Sequence, residues 1–232
     1  MESKNKTIRN VSWIVFNYLR ISRDKYYHII MDEERTGKLR EIKDEIVNLK
    51  DSPLYEERVR DRVFPVIGEG NHDAKIMFVG EAPGKNEAET GRPFCGAAGR
   101  VLDELLAHIN LPRKEVYVTN IVKDRPPENR DPLPEEILIY GPFLDRQVSI
   151  IQPKVIATLG RFSMKYIMER YGLGLAVQSI SKIHGHKFET EVSYGKLVIV
   201  PLYHPATALY TPSIKEELKR DFEVLGKLVR EK

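Results

Sequence analysis

The sequence is poor in cysteine, in long apolar runs and in net charge. Cys95 is the one cysteine among 232 residues, which excludes an internal disulfide bond and any metal site built from several cysteines. No apolar run approaches the length of a membrane span and no signal peptide pattern opens the chain, so we expect a soluble cytoplasmic protein. The formal net charge of +3 permits a local nucleic-acid-binding face without establishing one.

The remaining composition is that of a globular protein, and the apolar pattern changes near residue 60. With 41% hydrophobic residues, a chain of this length can build a sizeable core. Residues 1–60 carry apolar side chains at roughly helical spacing, first over Trp13–Ile30 and then over Leu39–Leu49. We therefore predict an N-terminal helical extension over residues 1–60 and a larger domain over residues 61–232.

The larger domain alternates between strand and helix patterns. The predicted strands are four short apolar runs rich in β-branched residues, Ile76–Val79, Val116–Thr119, Val155–Leu159 and Leu197–Val200. The predicted helices lie between and after them, at Ala97–Ile109, Pro134–Ile151, Phe162–Tyr171 and Ser213–Val229. Such alternation indicates an α/β protein with three layers, in which helices cover both faces of a four-stranded parallel sheet.

A glycine- and proline-rich loop follows the first predicted strand. It extends from Val79 to Gly99 and reads V-G-E-A-P-G-K-N-E-A-E-T-G-R-P-F-C-G-A-A-G. An apolar run, a glycine loop and a helix in this order build a ligand site at the carboxyl end of a strand. The loop has neither the Gly-Lys-Ser/Thr ending of nucleotide-binding loops nor the glycine spacing of dinucleotide-binding loops, which excludes both of these phosphate sites.

Two further polar segments follow the second and fourth predicted strands. They read T-N-I-V-K-D-R-P-P-E-N-R-D-P at residues 119–132 and P-L-Y-H-P-A-T-A-L-Y-T-P at residues 201–212. In this order, the three segments resemble the motifs of the uracil-DNA glycosylase superfamily, and most closely those of its family 4. The resemblance covers about residues 66–225. It implies a DNA repair enzyme that flips uracil out of DNA and hydrolyses its N-glycosidic bond, on the superfamily's four-stranded fold.

The resemblance also implies which residues would bind the flipped base. Phe94 would stack on uracil, and Asn120 would accept from its N3–H and donate to its O4. His204 resembles the family's histidine, which as a neutral donor to O2 stabilises the departing uracil anion. Glu81 and Ala82 would line the pocket, with Glu81 where the methyl group of thymine would collide. Taken singly, Phe94 would be assigned to the core and Asn120 to a turn.

Activation of the attacking water is less defined by the resemblance. In the best-known member of the superfamily an aspartate occupies the position of Ala82, and family 4 shares this departure. Glu87 with Asn129 resembles a pair thought to position the water or the loop in family 4. The predicted catalytic residues are therefore His204, Glu87, Asn129 and Glu81. A carboxylate in this loop can instead brace the backbone, which is the role we expect for Glu89.

The motifs place no lysine at the pocket positions, which favours a monofunctional glycosylase over a Schiff-base lyase. Phosphate contacts are expected from five cations, Arg92, Lys123, Arg125, Arg130 and Lys182. Leu209 and Tyr210 are expected to form a wedge that fills the gap left by the flipped nucleotide. Family 4 more often has arginine at position 210. The expected partner is DNA containing uracil or another deaminated base, bound by a nucleoid-associated monomer.

The largest departure from family 4 concerns its iron–sulfur cluster. In that family four cysteine thiolates hold the cluster, two before the first motif and two around the second. Here residues 1–94 contain no cysteine, Asp124 replaces the cysteine of K-C-R-P-P, and the later cysteine position falls on Tyr140 or Gly141. We therefore expect neither a cluster nor any other cofactor, with the N-terminal helices bracing this region instead.

Two alternative functions stay open at this point. The departures at Tyr210 and at the cluster positions are compatible with a glycosylase of the same fold that acts on another deaminated base. A non-catalytic DNA-damage-binding or scaffold protein is an alternative from another functional class. The presence of Glu81, Phe94, Asn120 and His204 argues against the second alternative, since a protein without catalysis has no need for the complete set.

Overall fold

A computed structural model describes residues 31–230 of the chain. Within this range the helices are α1 (residues 31–47), α2 (Tyr55–Asp61), α3 (Lys85–Thr90), α4 (Ala97–His108), α5 (Pro134–Ile151), α6 (Arg161–Arg170), α7 (Ile180–Ile183) and α8 (Pro212–Arg230). The strands are β1 (Glu69–Gly70), β2 (Ile76–Gly80), β3 (Tyr117–Asn120), β4 (Val155–Leu159), β5 (Phe188–Val192) and β6 (Gly195–Leu202). No helix in residues 31–230 combines the length and the apolar character needed to cross a membrane.

The strands form one mixed sheet in the order β1-β3-β2-β4-β6-β5. The four inner strands run parallel to one another, and the edge strands β1 and β5 are antiparallel to their neighbours. The predicted count of four strands is therefore wrong, because the described residues form six. β1 has only two residues and β5 alternates between half-buried and exposed positions, so neither shows the continuous apolar run of a central strand.

Helices cover both faces of the sheet. Successive side chains of a strand point to opposite faces, and β2 shows this clearly. Met77 and Val79 join the core under α1, α5 and α6, whereas Ile76 and Phe78 join the core under α4 and α8. Phe78 stacks on Phe222 of α8, with 5.7 Å between the ring centroids. The predicted three-layer α/β/α arrangement is thus confirmed.

Most of the predicted helices agree with the structure to within one or two residues at each end. α5 has the predicted bounds, whereas α3, inside the glycine-rich loop, has no counterpart among the predicted helices. The Leu39–Leu49 pattern belongs largely to α1, whose Ile42 and Ile46 are buried in the same core as the sheet. The Trp13–Ile30 pattern lies outside the described residues. The division between extension and domain at residue 60 stays a prediction.

A buried ion pair joins α1 and α2 to the rest of the protein. Arg58 of α2 donates to both carboxylate oxygens of Asp124, at 3.1 and 2.9 Å, and to two carbonyl oxygens at the end of α1. The hydroxyl of Tyr140 in α5 donates to the same carboxylate and lies 2.7 Å from Ser52 Oγ. Arg58 and Asp124 are only 6% and 1% exposed, so this network ties α1, α2, α5 and the loop after β3 together inside the protein.

Replacing Arg58 by methionine is expected to destabilise the protein strongly. The substitution leaves the Asp124 carboxylate buried without its cation, and breaking a buried pair in this way typically costs about 3–5 kcal/mol. We expect a loss of this size in the free energy of unfolding, measured by urea denaturation at neutral pH.

The matched control is Arg60→Met, because Arg60 lies in the same helix with 69% of its side chain exposed. Its free energy of unfolding should change by less than about 0.5 kcal/mol. If Arg58→Met also changes that free energy by less than about 1 kcal/mol, the pair contributes no more than a surface salt bridge does.

Candidate active site

The carboxyl ends of β2, β3 and β6 open onto a cavity of about 430 Å³. Parallel strands end at the same edge of a sheet, so the loops that follow these three strands meet there. The residues predicted to bind a base all line this cavity: Glu81, Ala82, Phe94, Asn120 and His204. The fold therefore brings together side chains from three motifs that are far apart in the sequence.

The buried amide of Asn120 is the most informative group in the cavity. Asn120 ends β3, is 2% exposed, and its Oδ1 atom has no hydrogen-bond partner among the described residues. Its neighbour across the sheet is Gly80 of β2. A Cβ atom at position 80 would lie 2.3 Å from Asn120 Oδ1 and 2.8 Å from the Phe94 ring, so the close approach requires glycine. Leaving a buried oxygen unpaired is costly, and this one can accept from a donor inside the cavity.

Phe94 forms an aromatic wall of the cavity in a strained backbone conformation. Its φ of 48° lies in the left-handed region, which aromatic residues rarely adopt. A Cβ atom at Gly99 would lie 1.8 Å from the Phe94 carbonyl oxygen, so α4 can pack against this bend only because position 99 is glycine. The Phe94 ring lies beside that of His204, with 5.6 Å between the centroids. The bend thus holds the two rings at one cavity.

Glu87 braces the loop that carries Phe94. Its Oε1 atom accepts from the backbone N–H groups of Cys95 and Gly96, at 3.0 and 2.9 Å. The bracing role that we expected for Glu89 therefore belongs to Glu87, because Glu89 is exposed on α3 and forms only a long salt bridge of 3.9 Å with Lys85. Glu87 also lines the cavity, and its predicted catalytic role stays a prediction.

His204 is held as a neutral hydrogen-bond donor. Its Nδ1 atom accepts from the Ala206 N–H at 3.1 Å, so the proton of the neutral ring is on Nε2. Burial lowers the pKa of His204 to about 4, although the charge of Glu87 acts in the opposite direction. At neutral pH the ring can therefore donate a hydrogen bond through Nε2 but does not carry a positive charge.

Glu81 is the residue of the cavity whose charge changes near neutral pH. Burial, followed by the charge of Asp131, raises the pKa of Glu81 to about 7, and Arg161 opposes this shift. Asp131 and Arg161 form an ion pair, and Asp131 also lines the cavity. Neither was among the residues predicted for the site. Arg161 begins α6, outside all three motifs, so the sequence offers no signal for it.

Asn129 and Arg125 are coupled to each other. Asn129 lines the cavity, and its Oδ1 atom accepts from Arg125 Nε at 2.7 Å. The backbone at Glu128 and Asn129 is left-handed, with φ values of 52° and 56°. Arg125 therefore positions the Asn129 side chain in this structure, and its contact with phosphate stays a prediction.

Lys123 is not on the surface, and its prediction as a phosphate contact is wrong. The side chain is 0% exposed. Its Nζ atom lies 2.8 Å from Thr119 Oγ1, 2.6 Å from the Asn120 carbonyl oxygen and 2.7 Å from Gln147 Oε1. Lysine usually remains in contact with water, but these polar acceptors lie inside the protein and draw the ammonium group inward.

The other predicted phosphate contacts differ in how strongly they are already paired. Arg92 is exposed and forms two hydrogen bonds with Glu69, at 2.9 and 2.8 Å. Arg130 lines the cavity and forms two with the buried Glu136, at 3.0 and 2.6 Å. Lys182 is exposed and forms no salt bridge with residues 31–230. Lys182 therefore has the least competition for a phosphate, and all three contacts stay predictions.

The predicted wedge residues lie on the surface after β6. Leu209 is 44% exposed and Tyr210 is 86% exposed. Large apolar side chains at such exposure are available to insert between bases. Their position is compatible with the wedge, which stays a prediction.

Comparison with known proteins points to one family. Residues 67–225 match the family model described as the uracil DNA glycosylase superfamily. The Type-4 uracil-DNA glycosylase of Sulfurisphaera tokodaii is 44% identical over 191 residues, covering 82% of this chain and 84% of that protein. The Type-4 uracil-DNA glycosylase of Archaeoglobus fulgidus is 46% identical over 167 residues, covering 72% of this chain and 83% of that protein. The Type-4 uracil-DNA glycosylase of Saccharolobus solfataricus is 49% identical over 159 residues, covering 68% of this chain and 72% of that protein.

The residues at the positions expected for an iron–sulfur cluster do not fit that group. Asp124, at one expected cysteine position, is hydrogen-bonded to Arg58 and Tyr140. Tyr140 itself stands at or beside the later cysteine position expected after it. The cluster is held by thiolates, whereas Cys95 lies in the loop before α4. Within residues 31–230, no three His, Cys, Asp or Glu side chains are grouped as a metal site. The buried network joins the segments that carry Arg58, Asp124 and Tyr140, and its replacement of a cluster stays a prediction.

Purified protein is expected to contain no stoichiometric iron and to be colourless, since one cysteine is present where four thiolates are needed. The measurement is elemental analysis together with the visible absorption spectrum. Anaerobic purification from iron-supplemented cells controls for loss of a cluster by oxidation. Stoichiometric iron, or a visible band that dithionite bleaches, would contradict the expectation.

Proposed function

The chain belongs to the uracil-DNA glycosylase superfamily, and from this membership we propose that it removes uracil from DNA by hydrolysing the N-glycosidic bond. The observation that carries the proposal is the set of groups at the cavity. Asn120 offers a buried amide oxygen that no described residue bonds, Phe94 offers a ring, and His204 offers a neutral N–H donor. The partner is uracil-containing DNA, and the role is DNA repair.

Asn120 is the proposed reader of the base. Its Oδ1 atom accepts from uracil N3–H, and its amide nitrogen donates to uracil O4. Cytosine reverses both groups, since its N3 accepts and its 4-amino group donates, so it would leave the buried amide mispaired. Sites built on such hydrogen bonds discriminate strongly against the wrong partner. The Phe94 ring provides the stacking surface that replaces the neighbouring bases of the duplex.

His204 is the proposed stabiliser of the leaving group. When the bond between sugar C1′ and uracil N1 breaks, its electron pair goes to the base, and negative charge develops on N1 and O2. A hydrogen bond from Nε2–H to O2 is stronger to the anion than to the neutral base, so it lowers the barrier. Because the pKa of His204 is about 4, the ring acts as a hydrogen-bond donor and uracil leaves as an anion.

The carboxylates are the proposed partners of the sugar and the water. Positive charge develops at C1′ as uracil departs, and an ionised Glu81 stabilises it. The water oxygen then bonds to C1′, and a water proton passes to the Glu81 carboxylate, leaving a hydroxyl at the abasic site. Glu87 keeps the loop in place, and its pairing with Asn129 is proposed to orient the water. No lysine is among the described residues that line the cavity, so none is placed to form a Schiff base, and the proposed reaction is a monofunctional hydrolysis.

The test of this function is turnover on oligonucleotides that differ in one base. Wild-type protein is expected to excise uracil repeatedly, with little or no action on thymine mismatches. Asn120→Ala is expected to lose roughly 10²-fold or more in single-turnover excision, since the pocket then has no reader for N3–H and O4. Asn48→Ala, at an exposed position after α1, is the control and should retain the wild-type rate.

Hypoxanthine and xanthine in the same panel test the alternative of another deaminated base. Excision of one of these faster than uracil would replace uracil as the substrate. Binding of uracil-containing DNA without turnover would favour a damage-binding protein. If a folded Asn120→Ala excises uracil at the wild-type rate, Asn120 does not read the base.

Excision is also expected to rise with pH through about 7, where Glu81 ionises. Below its pKa the protonated carboxyl cannot stabilise the charge on the sugar, and above it the carboxylate can. His204 is neutral throughout this range and adds no change of its own. The measurement is single-turnover excision between about pH 6 and 8.

Glu81→Gln should be slower and should show no such rise with pH. Glu89→Gln, which removes an exposed carboxylate from the same loop, should keep the wild-type profile. A rise with pH that is unchanged in Glu81→Gln would assign the titration to another group.

A further inference from the structure

Lys123 lies beneath the proposed base reader, fully buried, and the mechanism so far does not use it. Its Nζ atom is 2.6 Å from the Asn120 carbonyl oxygen, so the ammonium group contacts the same residue whose amide faces the cavity. Thr119 Oγ1 and Gln147 Oε1 complete its short contacts, at 2.8 and 2.7 Å. These contacts join the end of β3 to α5 directly behind the pocket.

Donor and acceptor counting favours the charged form of the Lys123 side chain. The Thr119 hydroxyl donates to the Ile67 carbonyl oxygen at 2.6 Å, so towards Lys123 it can only accept. Gln147 donates through its nitrogen to the same carbonyl at 2.9 Å, so its oxygen also accepts from Lys123. With the Asn120 carbonyl there are three acceptors at 2.6–2.8 Å. Three N–H donors are needed, and only the ammonium form has three.

This charge has no acidic partner in the described part of the chain. Within residues 31–230, no carboxylate forms a salt bridge with Lys123, and the groups that contact it from β3, α5 and the residue 67 segment are neutral oxygens. Burial lowers the pKa of Lys123 well below its ordinary value, because the charged form has left water. The three acceptors oppose that shift. A buried cation held only by neutral groups is electrostatically unsatisfied, and an anion formed nearby would be stabilised by it.

We propose that Lys123 is a positioning residue that holds the strand end bearing Asn120 and whose positive charge, acting through that residue and through space, stabilises the uracil anion as it leaves. The proposal rests on the proposed function, because it needs an anion to form in the cavity. It differs from a purely structural role in one respect. A structural lysine would affect all substrates alike, whereas a charge that stabilises the leaving group matters most for the poorest leaving group.

The experiment compares two leaving groups in otherwise identical oligonucleotides, uracil and 5-fluorouracil. The fluorine atom makes the base anion more stable, so its departure needs less help from the protein. Single-turnover rates are measured with enzyme in excess over DNA, at a temperature below the melting transition of every variant. Lys123→Met is expected to lower uracil excision at least about tenfold and 5-fluorouracil excision clearly less, since a lost charge contributes most where more negative charge develops.

Three variants serve as comparisons. Tyr117→Phe removes a hydrogen-bond partner of Gln147 in the same buried network but keeps all three acceptors of Lys123, so the ratio of the two rates should stay at the wild-type value. His204→Ala removes the direct donor to the leaving group and should change the ratio in the same direction as Lys123→Met. Lys154→Met removes an exposed lysine at the opposite edge of the sheet, before β4, and should change neither rate.

The outcomes separate this inference from the proposed function. Failure of the wild-type protein to excise uracil overturns the proposed function and the inference with it. Uracil excision by the wild type, with equal losses on both substrates in Lys123→Met, overturns the inference alone. If Lys123→Met does not fold, Lys123→Gln replaces it, because glutamine keeps N–H donors without the charge, and the same ratio decides.

Discussion

The buried pair of Arg58 and Asp124 is the interaction on which the architecture around the site depends. It connects α1, α2 and α5 to the loop after β3, and Tyr140 completes the bonding of the carboxylate. Asp124 directly follows Lys123, so the pair fixes the start of the loop that carries Asn129 and Arg130 to the cavity. Family resemblance places cluster thiolates in this region. Here charge and hydrogen bonds connect the segments, which requires that every polar group in the network be satisfied.

The adjacent residues Lys123 and Asp124 are both buried, but their charges are compensated in different ways. Asp124 is buried with a cation as its partner, whereas the described residues that contact Lys123 offer it neutral oxygens. The first arrangement is electrically balanced in the resting protein, which suits a structural brace. The second is balanced only when negative charge appears nearby. The two roles lie close together in the sequence. Asn120 faces the pocket and Asp124, four residues later, belongs to the structural brace, so one short segment serves both the chemistry and the fold.

The site depends on space as much as on polar groups. Gly80 leaves room for both the Asn120 amide and the Phe94 ring, and Gly99 allows α4 to pack against the Phe94 bend. The left-handed conformation of Phe94 is strained, and the Glu87 carboxylate holds the loop that follows it. A rigid, preorganised pocket of this kind has its donors in place before negative charge develops, so little reorganisation is needed during the reaction.

The sequence by itself determined the parallel core of the sheet and the bounds of α5, because periodicity along a chain reports which apolar side chains are buried. The resemblance of three motifs to a known family indicated the loops that meet at the cavity. Only the tertiary structure decided which polar side chains point into the protein and which groups they contact. Lys123 points inward because its acceptors include Gln147, 24 residues away, and Asp124 finds Arg58 across 66 residues. Glu87 rather than Glu89 braces the loop because α3 directs it towards the Cys95 and Gly96 amides. These partners come together only when the chain folds, so a local sequence pattern does not predict them.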